Sequence, residues 1–265
     1  MNERSRAVRE TIVAAALALL LGASSAVGLR GGQNPAQAPS SINPKAQQIL
    51  DRVIQALGGP AFLKVKRMTT RGHVYSIHDE ATTALAPFES FVEFPDKRRF
   101  SYGKNPPVIL INNGEQAWEL DRYGQTSQTP EQARRWQISN RYSLENLLRL
   151  RIHEDGILIQ LGGVDFVDNV ATQSLEMVDT RETQLKLDLN RQTILPVSVT
   201  YRVHNPKTDD WDEFADVYSD YKSIDGVMTP MHIARFFNGE RNSETFRSFA
   251  HYDDSYPSTY FQPVR

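Results

Sequence analysis

The side chains that could carry chemistry in this sequence are six histidines and one dense acidic run, and neither has the spacing of a metal or catalytic motif. The histidines stand apart along the chain and form no H-x-H or H-E-x-x-H pair. The run from Asp209 to Glu213 offers carboxylates that calcium prefers, but it lacks the D-x-D-x-D-G loop of a calcium site. We therefore interpret the histidines as strand-surface residues and the acidic run as a solvated hairpin tip, and we predict no metal and no cofactor.

Nucleophilic catalysis also lacks its usual residues. The 265 residues include no Cys, which excludes disulfides, thiolate chemistry and cysteine-ligated metals. A hydrolytic serine would need a G-x-S-x-G turn between a strand and a helix, and the sequence has none. Gly162-Gly163 and Asn112–Gly114 are turn signals, because no phosphate-binding G-x-G-x-x-G or G-K-[ST] follows a strand. We predict a protein that is not an enzyme, with an exported hydrolase of unrecognised type as a minor alternative.

The charge balance excludes further classes of protein. With 30 basic and 32 acidic residues the chain carries a formal net charge of −2, so long-range attraction to nucleic acid is not expected. Charged residues make up 23% of the chain, which excludes a protein built mainly of membrane-spanning helices.

The apolar side chains are the remaining functional candidates. A curved sheet covered by helices encloses a volume that either side chains or a ligand must fill. We predict that this volume is a hydrophobic cavity, with binding driven by buried apolar area at about 25 cal/mol per Å². The predicted lining residues are Phe91, Trp118, Leu120, Leu185, Leu187, Val197, Val199, Tyr201, Phe214 and Tyr218.

The first segment of the chain has the pattern of an export signal. Three arginines within the first nine residues precede the uncharged stretch Thr11–Leu29. The densest apolar part of this stretch is shorter than the roughly 20 residues of a membrane span. We predict a signal that is cleaved after Ala26 or Ala38, with an uncleaved membrane anchor as the alternative. The protein is then periplasmic, and residues 1–38 stay outside its fold.

Residues 39–265 are predicted to form one mainly β domain. Pro44–Leu57 has apolar residues at helical spacing, with Asn43 as a cap at its start and Gly58 just beyond its end. Pro130–Leu150 is predicted to form one or two further helices. The rest consists of short strand-like runs separated by turn signals, without βαβ alternation. This order predicts a single, strongly curved antiparallel sheet with helices packed against its concave side.

Three segments carry a resemblance to a known family. The first predicted helix ends in Ala56–Gly59, Leu187–Val197 contains an LD and a later LP, and Tyr218–Pro230 contains DY, DG and P. In this order, and over nearly all of Pro44–Val264, the sequence resembles the outer-membrane lipoprotein-sorting proteins, the LolA/LolB-like group. The motifs describe turns and strands, and so they indicate a fold more than a function.

The motifs also have a direct physical reading. Asp225-Gly226 is expected to form a tight turn, and Pro196 and Pro230 are expected to begin the strands that follow. The resemblance itself implies a half-open barrel of about a dozen strands whose opening is plugged by helices.

The same resemblance implies a non-catalytic carrier of a lipid or of the acyl chain of a lipoprotein. It implies a monomer, with an envelope membrane protein as a further partner. Without an N-terminal lipid-bearing Cys, a soluble carrier is favoured over a tethered acceptor. Release of the ligand would require Pro130–Leu150 to move between closed and open states. The alternative is an interaction or sensor module on the same fold, with the cavity filled by its own side chains.

Overall fold

A computed structural model describes residues 41–205 and 207–263. Residues 1–38, where we predict the export signal, lie outside the described part. Within that part, the chain forms a single curved sheet that does not close, together with a few helices. The predicted half-barrel with helices is therefore confirmed, with fourteen strands.

The sheet consists of two meanders of hairpins joined side by side. Its strands are β1 (Ser41–Ile42), β2 (Arg67–His78), β3 (Ala81–Glu93), β4 (Lys97–Tyr102), β5 (Val108–Asn113), β6 (Gln116–Asp121), β7 (Gly124–Ser127), β8 (Leu158–Val167), β9 (Val170–Val178), β10 (Gln184–Asn190), β11 (Pro196–Asn205), β12 (Asp210–Ile224), β13 (Val227–Phe237) and β14 (Glu240–Tyr252). The order across the sheet is β1-β8-β9-β10-β11-β12-β13-β14-β2-β3-β4-β5-β6-β7. Only the short β1 pairs in parallel, with β8, and the pairing of β14 with β2 joins the two meanders.

The helices begin where the sequence places caps. They are α1 (Pro44–Leu57), α2 (Pro60–Lys64), α3 (Pro130–Arg141) and α4 (Leu144–Arg149), with single 3₁₀ turns at Arg151–His153 and Ser258–Phe261. The Asn43 side chain accepts hydrogen bonds from the first backbone N–H groups of α1, as predicted. Pro130–Leu150 forms two helices because Ser143 caps a new one. None of the helices in the described part is long and apolar enough to span a membrane.

The main hydrophobic core lies between α1, α4 and the concave face of the sheet. Leu50 and Val53 of α1 are fully buried there, and so are Leu147 and Leu148 of α4. They belong to the same cluster as Leu187 and other inward-facing residues of β8 to β12. The apolar residues at helical spacing thus form the face that α1 buries against the sheet.

Two of the motifs that carried the family resemblance meet in space. Gly58 ends α1 with a φ of 124°, and a Cβ atom there would lie 2.3 Å from the carbonyl oxygen of Gly226. Asp225 and Gly226 form the turn between β12 and β13, both with positive φ, as a tight hairpin requires. Only glycine therefore allows the end of α1 to dock on this turn.

The expected position of one proline is wrong. Pro196 does begin β11, but Pro230 lies inside β13, opposite Tyr221. The turn contains only Asp225 and Gly226, so Ile224 pairs directly with Val227. The strand therefore begins three residues before the proline.

Candidate functional site

The concave face of the sheet is covered unequally, and we distinguish two halves of it. The filled half is the inner face of β8 to β12, which lies under α1 and α4 and forms the main core. The open half is formed by the Phe88 end of β3, by β4 and β5, and by the Arg235 end of β13, and Trp136 and Arg135 of α3 approach it. The predicted lining residues fall in the filled half or outside the concave face.

Six of the predicted lining residues are brought together in the filled half. Tyr201 stacks between Tyr142 and Phe214, with ring centroids 4.9 Å and 5.2 Å apart. The six residues are Leu185, Leu187, Val199, Tyr201, Phe214 and Tyr218. All except the half-buried Phe214 are buried, and the protein's own helix side chains pack against them. Val197 is buried nearby, beside an irregularity in the pairing of β10 with β11.

Three other predicted residues point to the opposite face of the sheet. Phe91 shares a row of strand pairs with Ile111 and Trp118, so the three side chains are on one face, and Leu120 follows Trp118 at alternate spacing. The ring of Phe91 contacts Tyr256 and Tyr260 of the C-terminal segment. Phe91, Trp118 and Leu120 therefore do not face the helices, because Phe88 and Val92 take the inward positions of β3.

The open half contains a set of apolar side chains that the sequence reasoning missed as lining residues. We call them the aromatic patch: Phe88, Phe100, Tyr102 and Leu110. Phe88 stacks on Phe100 with centroids 5.5 Å apart, and Phe100 lies 5.8 Å from Tyr102. All but Phe88 remain half-exposed. The signal that could have found them is the alternation along β4, continued across the hairpin to Leu110.

Helix α3 lies beside this patch and contributes one fully buried side chain, Trp136, which contacts the guanidinium of Arg98 next to Phe100. Its N-terminal half is attached by contacts at the protein surface. The Glu131 carboxylate lies 2.6 Å from the Lys207 ammonium, and Arg134 donates a hydrogen bond to the His204 carbonyl oxygen. Asn140, near the other end, donates to the Pro95 carbonyl oxygen at 2.8 Å. Trp136 and the half-buried Ile138 provide the apolar contacts of this helix, and these polar contacts attach its two ends.

The C-terminal end of α3 is fixed by a buried network on Asp179, in the turn between β9 and β10. The Tyr142 hydroxyl donates to the Asp179 carboxylate at 2.7 Å, and Arg141 lies 3.2 Å from the same oxygen. Burial acts to raise the pKa of Asp179, but hydrogen bonds from Tyr142, Thr183, Arg181 and Arg141 outweigh it and lower the pKa. Asp179 therefore anchors one end of α3 as a carboxylate.

Charged groups also face the concavity. Arg235 of β13 lies 3.6 Å from Asp216 of β12, whose pKa is raised by burial in spite of that arginine. Arg98 of β4 lies on the same face as the aromatic patch, and burial lowers the pKa of its guanidinium to about 10. Arg98 also lies within about 6 Å of the Phe100 and Trp136 rings (5.5 and 6.0 Å). The open half is thus both apolar and charged.

Comparison with family models and with curated proteins finds no match. Solved structures do match. A DUF1329 family protein from Desulfovibrio piger is 12% identical, covers 82% of this chain and 97% of its own, and has a TM-score of 0.53. An outer-membrane lipoprotein-sorting domain from Vibrio parahaemolyticus is 10% identical, covers 82% of this chain and 96% of its own, and has a TM-score of 0.51. The fold is LolA-like.

The likeness concerns the fold alone at these identities. A LolA superfamily protein from Nitrosomonas europaea also aligns, at 14% identity over 82% of this chain and 97% of its own, with a TM-score of 0.48. The motifs at Gly58 and Asp225-Gly226 predicted a LolA-like fold, and that prediction is confirmed.

The outer face of the LolA-like sheet has a cleft of its own, of about 260 Å³. Asp188 is buried at its floor, where it accepts a hydrogen bond from the Ser198 hydroxyl at 2.8 Å and lies 3.1 Å from the Lys186 ammonium. A floor of paired polar groups suits an acyl chain poorly. The aromatic patch is the better candidate for an apolar ligand.

The residues first considered for chemistry lie at the surface of the LolA-like fold. Asp209 is at the exposed tip of the β11–β12 hairpin, 3.0 Å from the His204 ring. Over residues 41–205 and 207–263, no group of three or more His, Asp or Glu side chains is placed to hold a metal ion. Asp209 is thus at the predicted hairpin tip, whereas Asp210–Glu213 begin β12 and pair with β11.

Proposed function

We propose that this chain is an exported, periplasmic carrier that binds a lipid or the acyl chain of a lipoprotein in the open half, without catalysis. The observation that carries the proposal is the half-exposed aromatic patch under α3, a helix with only one buried side chain. The fold of a lipoprotein-sorting domain supports it. The basic and then apolar start of the sequence supports export.

On binding, the ligand would replace α3 as the group that lies over the aromatic patch. Trp136 leaves, α3 pivots on its anchored C-terminal end, and the acyl chain lies on Phe100 and Leu110. Each methylene group removed from water contributes about 0.8 kcal/mol. The surface contacts of α3 are replaced by contacts with water at low cost, because exposed ion pairs contribute little. A closed and an open state then differ by little free energy, and the ligand favours the open one.

This proposal revises the set of lining residues. The side chains of the filled half are already covered by α1 and α4, so an acyl chain would have to displace a packed core to reach them. Tyr201 and Phe214 border the open half through the contact of Phe214 with Phe237, whose ring lies under Arg135 of α3. We propose that the ligand reaches this border and goes no deeper.

Two adjacent residues of β5 provide a matched test. Leu110 faces the concavity and Ile109 faces the opposite side of the sheet, and both are half-buried. The full chain, secreted to the periplasm, is titrated with a fluorescent fatty acid. We expect Leu110→Ser to weaken binding about tenfold, as the loss of one apolar contact of this size implies. Ile109→Ser should bind like the wild type.

Native mass spectrometry of the same preparations shows whether lipid co-purifies. A clean mass of the empty protein, together with no saturable uptake of the fatty acid, would exclude the carrier. Equal losses in the two serine variants would mean that the ligand does not lie on the concave face. The mass also shows whether the chain begins after Ala26 or Ala38, or keeps its first residues.

A second candidate function, a protein-interaction module, is favoured by the β8–β9 hairpin. Phe166 is 72% exposed, and beyond Ile159 the outer edge of β8 pairs with no other strand in the described part. A free strand edge can take up an extended peptide of a partner. A stoichiometric partner that binds the wild type and is lost in Phe166→Glu, with no lipid present in either, would favour this module.

A further inference from the structure

Arg98 has no acidic partner, although it lies under Trp136 in the concavity. Its Nη2 donates a hydrogen bond to the Asn112 side-chain oxygen at 3.3 Å, and its buried Nε has no hydrogen-bond partner. None of the ion pairs within the described residues involves it. The rings of Phe100 and Trp136 lie near the guanidinium and hold its position. A half-buried, positively charged group without an anion is costly to fold and calls for an explanation.

The carboxylate of Asp216, on the facing strand β12, does not compensate for Arg98. Asp216 lies 3.6 Å from Arg235, which also donates to the Thr245 hydroxyl and stays 42% exposed. Arg247, from the neighbouring strand, donates to the Pro230 carbonyl oxygen. The positive charge of Arg235 adds to burial in lowering the pKa of Arg98. The open half therefore combines an apolar surface with the guanidinium groups of Arg98 and Arg235, while the carboxylate of Glu119 lies at its other border, beside Tyr102.

We infer that the open half binds an amphiphile with an acidic headgroup, a phosphate or a carboxylate, held by Arg98 and Arg235. The inference rests on the proposed function, because the apolar part of the ligand lies on the aromatic patch. Arginine suits the role, since one edge of its guanidinium presents two N–H groups in the plane that a carboxylate or phosphate accepts. The free Nε–H of Arg98 belongs to such an edge.

The position of Trp136 links the headgroup to the motion of α3. Its ring lies over the guanidinium that would receive the anion, so the same side chain covers the charge and the aromatic patch. When α3 lifts, both become accessible together. A ligand with an acidic head and an apolar chain therefore gains from both, whereas a neutral lipid gains only from the patch.

The test compares phosphatidic acid with a diacylglycerol of the same chains, each displacing a fluorescent fatty acid from the full-length protein. We expect the wild type to prefer phosphatidic acid by about tenfold or more, as a charge-assisted hydrogen bond implies. Arg98→Gln should remove most of this preference, so that phosphatidic acid and diacylglycerol bind with similar affinity. Arg99→Gln is the matched control, because Arg99 is the next residue of β4 but faces Tyr260 on the opposite side of the sheet.

Two further measurements separate recognition from a structural role. Arg98→Gln should raise the melting temperature of the empty protein, since it removes a charge that has no partner. If Arg98 instead stabilised the fold, Arg98→Gln would lower the melting temperature. Arg235→Gln tests the same preference from the other strand, and it gives an independent result if Arg98→Gln folds poorly.

Each outcome decides the inference. Equal affinity of the wild type for phosphatidic acid and diacylglycerol would overturn it and leave the proposed carrier intact. No binding of either lipid would overturn both. Saturable binding of inorganic phosphate that Arg98→Gln abolishes, without any preference among lipids, would identify a free anion as the ligand and refute the headgroup. A tenfold preference that disappears in both glutamine variants, but not in Arg99→Gln, supports it.

Discussion

The filled and open halves of the concave face share one sheet and differ in their covers. Helix α1 packs four side chains that are at most 1% exposed, at positions 46, 50, 53 and 57, whereas α3, of similar length, buries only Trp136. Full burial of an aliphatic side chain contributes about 1.5–3 kcal/mol. The cover of the filled half is therefore part of the core, and we expect the cover of the open half to detach more easily because it buries fewer side chains.

The two ends of α3 repeat this difference on a smaller scale. The C-terminal end is fixed by the buried Asp179 network, while Glu131 and Lys207 at the other end are exposed to solvent. A helix that is firmly attached at one end and weakly at the other can swing. The direction of opening follows from the chemistry of its ends, with Tyr142 as the pivot.

The largest effect is expected from a substitution in the filled half. Leu50→Ala should lower the free energy of unfolding by about 2–5 kcal/mol, because it leaves a cavity beneath α1. Urea denaturation of the two proteins measures the difference. A loss below about 1 kcal/mol would mean that α1 is as loosely attached as we expect α3 to be, and the contrast between the halves would fail.

The anchor of α3 should have a smaller and pH-dependent effect. Asp179→Asn is expected to destabilise the protein by about 1–3 kcal/mol at neutral pH, because it removes a buried carboxylate that accepts several hydrogen bonds. The pKa of Asp179 is lowered on folding, so its contribution is present above the unfolded pKa of about 3.9 and is lost as the pH falls through the folded value.

Denaturation of the wild type and Asp179→Asn at neutral and strongly acidic pH checks this sign. The two stability curves should converge in acid. A difference that stays constant over the whole range would show that Asp179 is not a charged anchor. Thr183→Val removes a neighbouring hydroxyl without the charge, and its effect should depend little on pH.

The free end of α3 should influence rates more than stability. Lys207→Ala removes the contact with Glu131 and should speed the uptake of a fluorescent fatty acid by about two- to fivefold, with little change in unfolding. Lys222→Ala, which removes an exposed ion pair with Asp220 away from α3, is the matched control. If both variants take up the ligand at the rate of the wild type, α3 does not open at this end.

The sequence predicted the helices, caps and turns well, but it predicted poorly which side chains of each strand face the concavity. Asn43, Pro130 and Asp225-Gly226 act locally, through caps and turns, so they indicate where the elements begin and end. The lining of a cavity depends on which face of each strand is covered, and that depends on pairing across the sheet. Phe91 packs against Tyr256 and Tyr260 of the C-terminal segment, so this apolar side chain is covered on the outer face and not in the concavity. Arg98 was overlooked because a charged residue within a strand usually faces solvent.

The smallest effect, a pH dependence, would show that the open half recognises charge. Burial raises the pKa of Asp216, and the groups that interact with it are Arg235, Arg247, Glu145 and Tyr218. Protonation of Asp216 as the pH falls removes a negative charge beside Arg235 and leaves the arginines charged. Affinity for phosphatidylglycerol, whose phosphodiester stays ionised, should therefore rise by about twofold as the pH falls through the raised pKa of Asp216.

Asp216→Asn should bind more tightly at neutral pH than the wild type and should lose this dependence on pH. A neutral diacylglycerol has no charge to pair with Arg235, so its affinity should stay constant over the same range of pH. If the affinity for diacylglycerol changes with pH in the same way as the affinity for phosphatidylglycerol, the titrating group controls the opening of α3 and does not act on the headgroup. The comparison of the two lipids thus distinguishes an effect of charge in the open half from an effect on the movement of α3.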